Sequence, residues 1–140
     1  MKACERQKGL TSVEFAIVGV FLFVIVFAIL EFGRVLFTLN VLQEGARRGA
    51  RVAAVSAPNS PAVEAAALFL DLPALDNATV ETLYLTKDAA ETQDINAMQY
   101  VRVSITAPDI GLRIPLVRAT ITPPVYSSTL PRESLGVVPD

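Results

Sequence analysis

The feature that most constrains this chain is an uninterrupted apolar run near its N-terminus. Residues 15–30 read FAIVGVFLFVIVFAIL and contain no charged side chain. Starting the run at Leu10 gives a helix about 31 Å long, which matches the hydrocarbon thickness of a bilayer. The mean hydropathy of +0.47 and a charged fraction of 19% are also unusual for a soluble domain of 140 residues. The sequence therefore predicts a membrane-spanning helix over about residues 10–30.

Composition excludes several classes of function. The chain has no His, no Trp and a single Cys, so it cannot build a His-based catalytic triad, a His/Cys zinc site or an internal disulfide. The net charge of −2 without a basic tract argues against a nucleic-acid partner. A carboxylate-only active site stays possible, but the acidic residues of the C-terminal part lie in segments without a binding motif. We therefore expect no enzyme, no cofactor and no metal.

The distribution of proline divides the chain into three parts. Residues 1–9, MKACERQKG, form a charged leader, and residues 10–56 contain no proline. All nine prolines lie in residues 57–140. We predict a cytoplasmic leader, then one long helix with a membrane span and an amphipathic extension over residues 31–56, then a periplasmic α+β head.

Charges on either side of the span predict its orientation. Lys2, Arg6 and Lys8 precede it, and positive residues favour the cytoplasmic side. The prediction is a single-pass inner-membrane protein with a cytoplasmic N-terminus and a periplasmic head. The three arginines of residues 47–51 also lie within the distance that the rule counts, which reduces the asymmetry on which the prediction rests.

A small residue, Gly9, lies at the junction between the leader and the apolar run. A secretory signal peptide would instead have small residues after its apolar region. A cut after Gly9 would free the amine of Leu10 and keep the apolar helix, with Glu14 as the fifth residue. An ionised carboxylate costs about 2.5–3.5 kcal/mol at the centre of a bilayer and less near its edge, so Glu14 needs a partner. There are two alternatives to a specific partner in the mature chain. Glu14 is solvated among lipid headgroups, or it pairs with Lys8 of an uncleaved leader.

Three motifs in this order carry a resemblance to a known family. Gly9 followed by Leu10-Thr11-Ser12-Val13-Glu14-Phe15 resembles the type IV prepilin processing site. The segments EFGR at residues 31–34 and EGARRGAR at residues 44–51 narrow the resemblance to the TadE-like proteins. These are minor pilins, or pseudopilins, of the tight-adherence (Tad, or Flp) type IVc pilus system. The resemblance covers residues 9 to about 55.

The resemblance implies a function and a set of partners. A prepilin peptidase would cut between Gly9 and Leu10, and Glu14, followed by the aromatic Phe15, would pair with the free amine of the same or a neighbouring subunit. The chain would be needed for assembly or priming of Flp pili used in surface adherence, either in the inner membrane or within the extracellular pilus. Its partners would be the peptidase, other major and minor pilins, the inner-membrane assembly platform and the lipid bilayer. The alternative is an uncleaved, signal-anchored bitopic protein whose head binds an envelope partner.

Beyond the span, apolar and small residues alternate at spacings of three and four, which is typical of a helix packing seam. The seam consists of Phe32, Val35, Leu39, Leu42, Ala46, Gly49 and Ala53. We interpret its bulky part, residues 32–42, as a contact with other subunits, and residues 46–56 as the place where the head rests. The alternative for the small residues is close approach of a second helix. Gly33, Gly45 and Gly49 predict close packing, because glycine costs a helix about 1 kcal/mol relative to alanine.

Charged residues beside the seam predict two ion pairs on the helix. Glu31 and Arg34 are three residues apart, and Glu44 and Arg48 are four apart. We interpret the arginines of residues 47–51 mainly as a solvated face, with anionic headgroups or an acidic partner as the alternative.

The sequence of the head predicts an α+β fold of the pilin type. In this fold a short helix and a three- to four-stranded, mainly antiparallel sheet follow the long helix. Ser60 and Pro61 mark the start of the short helix, which we expect to end near Leu70. Strands are predicted at residues 79–85, 100–107 and 116–122. Residues 87–99 are expected to form a loop, residues 108–111 a turn, and the segment after Pro124 an irregular tail.

Overall fold

The computed structural model describes residues 5–132. The first four residues of the predicted leader and residues 133–140 of the predicted tail lie outside this range. The elements are α1 (Glu5–Val55), α2 (Pro61–Ala67), β1 (Thr79–Leu85), β2 (Tyr100–Thr106), β3 (Ile110–Gly111), β4 (Thr120–Ile121) and β5 (Tyr126–Pro131). The predicted α+β fold, with a long N-terminal helix and a small antiparallel sheet, is confirmed.

Helix α1 is 51 residues long and continuous. It starts at Glu5 rather than at Leu10, because the leader residues before Gly9 are good helix formers and contain no proline. It ends just before Pro58, and Asn59 adopts a left-handed backbone with a φ of 58° that carries the chain into α2. Within the described residues, this is the one helix that is long and apolar enough to cross a membrane, and the head covers none of its most apolar stretch.

Helix α2 begins as predicted. The hydroxyl of Ser60 accepts a hydrogen bond from the backbone N–H of Ala62, and Pro61 occupies the first turn. The helix ends at Ala67 instead of Leu70, because Leu68 leaves the helical region and the next residues turn into the core, where Phe69 and Leu70 pack.

The main sheet has the strand order β1-β2-β5, and both pairs are antiparallel. Strands β1 and β2 occupy the predicted segments. The predicted alternation along the central strand is confirmed, because Val101, Val103 and Ile105 are fully buried between more exposed neighbours. The third strand is where the prediction was wrong.

That third strand is β5, which lies in the segment predicted as an irregular tail. The predicted strand over residues 116–122 contributes only β4, which forms a separate two-stranded hairpin with β3. The reason lies in the solvent exposure of residues 116–120, which present no buried face to a sheet. In β5, by contrast, Tyr126, Ser128 and Leu130 are half-buried and alternate with exposed residues.

The buried face of the sheet packs on the upper half of α1 and on α2. Two apolar clusters form this core, one around Leu42 and Ile105 and the other around Ala50 and Val103. A Cβ at Gly45 would overlap the carbonyl oxygen of Ala67 in α2. A Cβ at Gly49 would lie 3.0 Å from Cγ1 of Val103, so both glycines allow close approach, as predicted.

Gly33 does not follow that prediction, because a Cβ there would meet no atom of the described chain within 4 Å. The head begins to cover α1 on a different face of this turn. Gly33 is therefore not needed for packing within the chain.

This difference gives a matched pair of substitutions. We expect Gly45→Ala to lower the unfolding free energy of the head by about 1–3 kcal/mol, because backbone atoms of α2 must move. Gly33→Ala should leave it unchanged or raise it by up to about 1 kcal/mol, because helix propensity improves in open space. Urea unfolding of the full chain in detergent can follow this through tyrosine fluorescence, since the three tyrosines all lie in strands of the sheet. Equal stability of the two variants would contradict the packing.

Candidate assembly site on the N-terminal helix

The predicted processing and assembly residues lie in the first turns of α1, on a surface that the head does not reach. Gly9, Leu10, Glu14 and Phe15 are all exposed, and Phe15 is 79% exposed. Leu10 and Glu14 are one helical turn apart on the same face, about 6 Å along the axis. The continuous helix also includes the Gly9–Leu10 bond.

The stretch from residue 10 to residue 30 exposes large apolar side chains around the whole helix. Members of this set include Leu10, Ile17, Phe21, Phe23, Ile25 and Leu30. One small head cannot cover every face of a helix, so this surface needs an apolar solvent or several neighbouring helices.

The seam residues fall into two environments. The head buries Val35, Leu42, Ala46, Gly49 and Ala53, leaves Leu39 half-buried, and leaves Phe32 52% exposed. The interpretation that residues 32–42 meet other subunits is therefore wrong for Val35 and Leu42. The physical reason is the length of the head's core, in which Leu75, Ile105 and Ala107 surround Leu42.

An exposed apolar strip remains on this part of α1. Phe32, Leu36 and Phe37 are each more than half exposed and lie within one and a half turns of one another. Leu36 and Phe37 were not predicted from the sequence, because they lie outside the heptad seam. The signal that could have found them is that Leu36 lies four residues after Phe32, one helical turn away, with Phe37 next to it.

At the end of the predicted span, Glu31 and Arg34 join α1 to the β3–β4 hairpin. The predicted ion pair is present, with Nε of Arg34 3.0 Å from Oε1 of Glu31. In addition, the backbone N–H of Arg113 donates to the same carboxylate oxygen at 3.0 Å, and Nη2 of Arg34 donates to the carbonyl oxygen of Gly111 at 2.8 Å. We call these four residues the helix–hairpin clamp. The sequence predicted the pair within the helix but not its two long-range bonds.

The electrostatics of the clamp favour the ionised carboxylate. The hydrogen bond from Arg34 is the largest effect, and with the backbone bond from Arg113 it outweighs desolvation and holds the pKa of Glu31 below its ordinary value. Glu31 is only 8% exposed, so the charge-assisted bonds are little weakened by water. The clamp therefore attaches the lower edge of the head to α1.

The second predicted pair lies higher on the helix and is more exposed. Nε of Arg48 donates to Oε1 of Glu44 at 2.9 Å, and this bond lowers the pKa of Glu44. The guanidinium of Arg48 also stacks on the ring of Phe69 at 3.9 Å. Arg48 therefore contacts the head instead of belonging to a purely solvated face, whereas Arg47 and Arg51 are exposed.

Metal chemistry has no support in the described part of the chain, since residues 5–132 contain no group of three or more Cys, Asp or Glu side chains placed to hold an ion. The arrangement offers a bare apolar helix with one carboxylate near its start and a head fixed to its upper half. Such a geometry suits packing and anchoring.

The comparison with protein families gives one match. The model of the family described as TadE-like protein matches residues 9–51. The match begins at the glycine of the predicted cut and ends within α1, so it does not include the head. It confirms the resemblance of this N-terminal segment to the TadE-like family. No curated protein and no solved structure matches the chain.

The clamp predicts a pH-dependent stability. Because folding lowers the pKa of Glu31, its contribution is fully present above the ordinary value of 4.5 and is lost as the pH falls through the lower folded value. Glu31→Gln should therefore cost about 1–2 kcal/mol at neutral pH, and the difference from wild type should shrink in acid. Urea unfolding of the full chain in detergent at several pH values measures this.

The matched control is Glu44→Gln, which removes the charge of the exposed pair. It should cost much less than Glu31→Gln, because water screens an exposed pair. A loss for Glu31→Gln that is no larger than the control, or that persists unchanged in acid, would show that the clamp does not hold the head.

Proposed function

We propose that this chain, whose N-terminal segment is TadE-like, is a minor pilin or pseudopilin needed for assembly or priming of Tad-type (Flp) pili in surface adherence. The observation that carries the proposal is the coincidence of the family match with one continuous helix. That helix is bare over residues 10–30 and covered by the head from Val35 onwards. The TadE-like family is structural rather than catalytic, which supports a role in assembly.

The bare stretch supports single-pass anchoring in the membrane. We propose that the N-terminus is cytoplasmic and the head periplasmic, because Lys2, Arg6 and Lys8 precede the span. In this orientation Glu31 leaves the bilayer on the periplasmic side. The assembly platform would then meet the chain within the inner membrane.

Processing by a prepilin peptidase between Gly9 and Leu10 is the first step of the proposal. This bond lies in the second turn of α1, so the peptidase has to unwind the end of the helix before it can bind the chain. Gly9 makes this easier, because glycine destabilises a helix by about 1 kcal/mol and helix ends fray. The exposure of Gly9 and Leu10 leaves the bond accessible.

Cleavage would create the partner that Glu14 needs. The new amine of Leu10 carries a positive charge within one helical turn of the carboxylate, and the start of the helix adds partial positive charge. In an apolar environment such a pair offsets much of the desolvation of both ions, whereas an unpaired charge is expensive. We therefore propose that Glu14 pairs with the amine of the same subunit or a neighbour when the helix leaves lipid for the pilus.

The exposed strip of Phe32, Leu36 and Phe37 is the proposed contact with neighbouring pilins above the membrane. In this proposed contact the strip takes the place of Val35 and Leu42, because the head buries both of them. Gly33 lies beside this strip with open space around it, so a neighbouring helix can approach closely there. Phe32 and Leu36 are exposed, whereas Phe37 also borders a cavity at the edge of the head. The head residues that line this cavity include Leu72, Pro73 and Ala74.

The alternative remains an uncleaved bitopic protein whose head binds an envelope partner. The specific observation in its favour is the helix that continues from Glu5 through the processing bond. A leader that is helical from Glu5 onwards would suit a permanent signal anchor. The state of the N-terminus, intact or cut after Gly9, separates the two functions.

The first prediction concerns processing. Gly9→Val should block cleavage, because a branched side chain replaces the small residue before the bond, and membrane insertion should persist because the span is intact. Cys4 is the single cysteine and lies in the leader, so maleimide labelling reports on cleavage directly. Wild-type chain from peptidase-competent cells should lack a thiol, and the variant should keep it.

The matched control is Gly19→Val, which places the same side chain in open space within the span. This variant should lose its thiol like wild type. Cleavage of the Gly9→Val variant at the wild-type level would refute the cut site.

The second prediction concerns assembly. Glu14→Ala should be processed normally, but its amount in sheared pili relative to the membrane should fall by about tenfold or more, the effect of roughly 1.4 kcal/mol. The physical reason is the uncompensated amine of Leu10 in an apolar packing. Glu64→Ala, which removes an exposed carboxylate of the head, should assemble like wild type. Unimpaired incorporation of Glu14→Ala would reduce Glu14 to an interfacial residue.

A further inference from the structure

The β3–β4 hairpin ends in an apolar turn. The backbone conformation of this turn is unfavourable for leucine, and contacts within the described chain do not compensate for it. Its tip is formed by Pro115 and Leu116, between the paired residues Ile114 and Val117. Leu116 is 90% exposed and has a φ of 68°, a left-handed conformation that suits glycine or asparagine. An exposed leucine at this position gains nothing from the fold of the described chain.

Contacts along α1 show that the hairpin lies at the membrane end of the head. Successive positions of the descending chain meet successively lower turns of the helix. Ile105 lies against Gly45, Gly111 is bonded to Arg34, and Arg113 is bonded to Glu31. Leu116 follows Arg113 by three residues, so an extended chain carries it up to about 10 Å further in the same direction. That distance reaches below Leu30, the end of the predicted span.

Two arginines flank the tip. Arg113 precedes the turn and Arg118 follows it, and both side chains are exposed. Within this hairpin their charges are opposed only by Asp109, which lies at the far end. Long cationic side chains beside an apolar tip are suited to lipid headgroups, because their charges reach anionic phosphates while the apolar residues lie deeper.

The backbone of the turn is also suited to a poorly hydrated place. The N–H of Val117 donates to the carbonyl oxygen of Ile114 at 3.2 Å, and the N–H of Leu112 donates to that of Ala119 at 2.8 Å. Pro115 has no N–H. Few backbone donors therefore lose water when the tip enters the membrane interface, so the free-energy cost of desolvating the backbone is low.

We infer that the tip of this hairpin inserts into the leaflet that α1 leaves at Glu31. Leu116 and Val117 lie at the boundary between headgroups and acyl chains, and Arg113 and Arg118 bind anionic lipid phosphates. The inference rests on the membrane anchoring in the proposed function. The helix–hairpin clamp fixes the tip at this level, so the head has a second attachment to the bilayer beside α1. We favour lipid over a second copy of the chain because the clamp places the tip beside the emerging helix.

Because the sequence contains no tryptophan, the fluorescence of a single introduced tryptophan reports only on the position where it is placed. Single tryptophans are introduced into the full chain at Leu116, at Asp88 in the exposed loop far from the hairpin, and at Phe21 within the span. Each variant is reconstituted at low protein content into phosphatidylglycerol vesicles, with or without acyl chains brominated near the headgroup, or, for Phe21→Trp at the middle of the span, near the terminal methyl group. Fluorescence emission and bromine quenching are then compared, and Val117→Trp repeats the test in case Leu116→Trp disturbs the turn.

We expect the tryptophan of Leu116→Trp to emit at shorter wavelength than that of Asp88→Trp and to be quenched by brominated lipid. Combining it with Arg113→Gln and Arg118→Gln should reduce this quenching toward the level seen in neutral phosphatidylcholine vesicles. Emission and quenching equal to those of Asp88→Trp, in both tip variants, would overturn the inference. A blue shift that grows with protein density without lipid quenching would also overturn it and indicate a second copy.

The Phe21→Trp variant separates this inference from the membrane anchoring beneath it. If it is quenched and the tip variants are not, the hairpin insertion is wrong and the span stands. If it is not quenched either, the proposed membrane span itself is refuted, and the hairpin inference is refuted with it.

Discussion

One helix in two environments is the constraint on which the rest of this structure depends. Helix α1 is continuous from Glu5 to Val55. Its lower part therefore cannot bury its apolar side chains against the head. The position of the head is set by the upper part of the same helix. Over residues 15–30 the helix carries exposed apolar side chains on all sides, which suits lipid or a bundle of similar helices. Above Arg34 one side is covered by the head and the other side is exposed. The helix–hairpin clamp marks the boundary, because its buried carboxylate joins helix and head within a single turn.

The fold of the head depends on α1, because residues of this helix form part of the core of the head. Its main sheet has three strands, and the inner face of that sheet is covered by the upper half of α1 together with α2. A domain of this size buries little apolar surface alone, so small residues on the helix are important because they let backbones approach closely. Gly45 and Gly49 provide this approach to α2 and β2. The seam in the segment that matches the TadE-like family therefore packs against a head that the match does not include.

The long helix and strands β1 and β2 were predictable from sequence because each has a strong local signal. Strand β2 alternates branched apolar and polar residues, and α1 lacks proline throughout. Strand β5 escaped prediction because its inner face consists of Tyr126, Ser128 and Leu130 among residues typical of turns. The segment 116–122 contains branched residues but no partner for a buried face, so its local signal was misleading.

At the candidate site, sequence predicts which residues lie on one helical face but not what covers that face. Val35 and Leu42 have the spacing of an intersubunit seam, and the tertiary fold buries them within the chain instead. Glu31 and Arg34 were predicted as a local pair, whereas their bonds to Arg113 and Gly111 join residues about eighty positions apart in sequence. Such long-range contacts leave no periodic pattern in the sequence.

The most direct test of the proposed function is the intact mass of wild-type chain purified from the membranes of cells that contain the prepilin peptidase. We expect a mass that corresponds to a chain beginning at Leu10, without Cys4. A mass that includes the complete leader from Met1 would contradict it and favour the uncleaved membrane anchor.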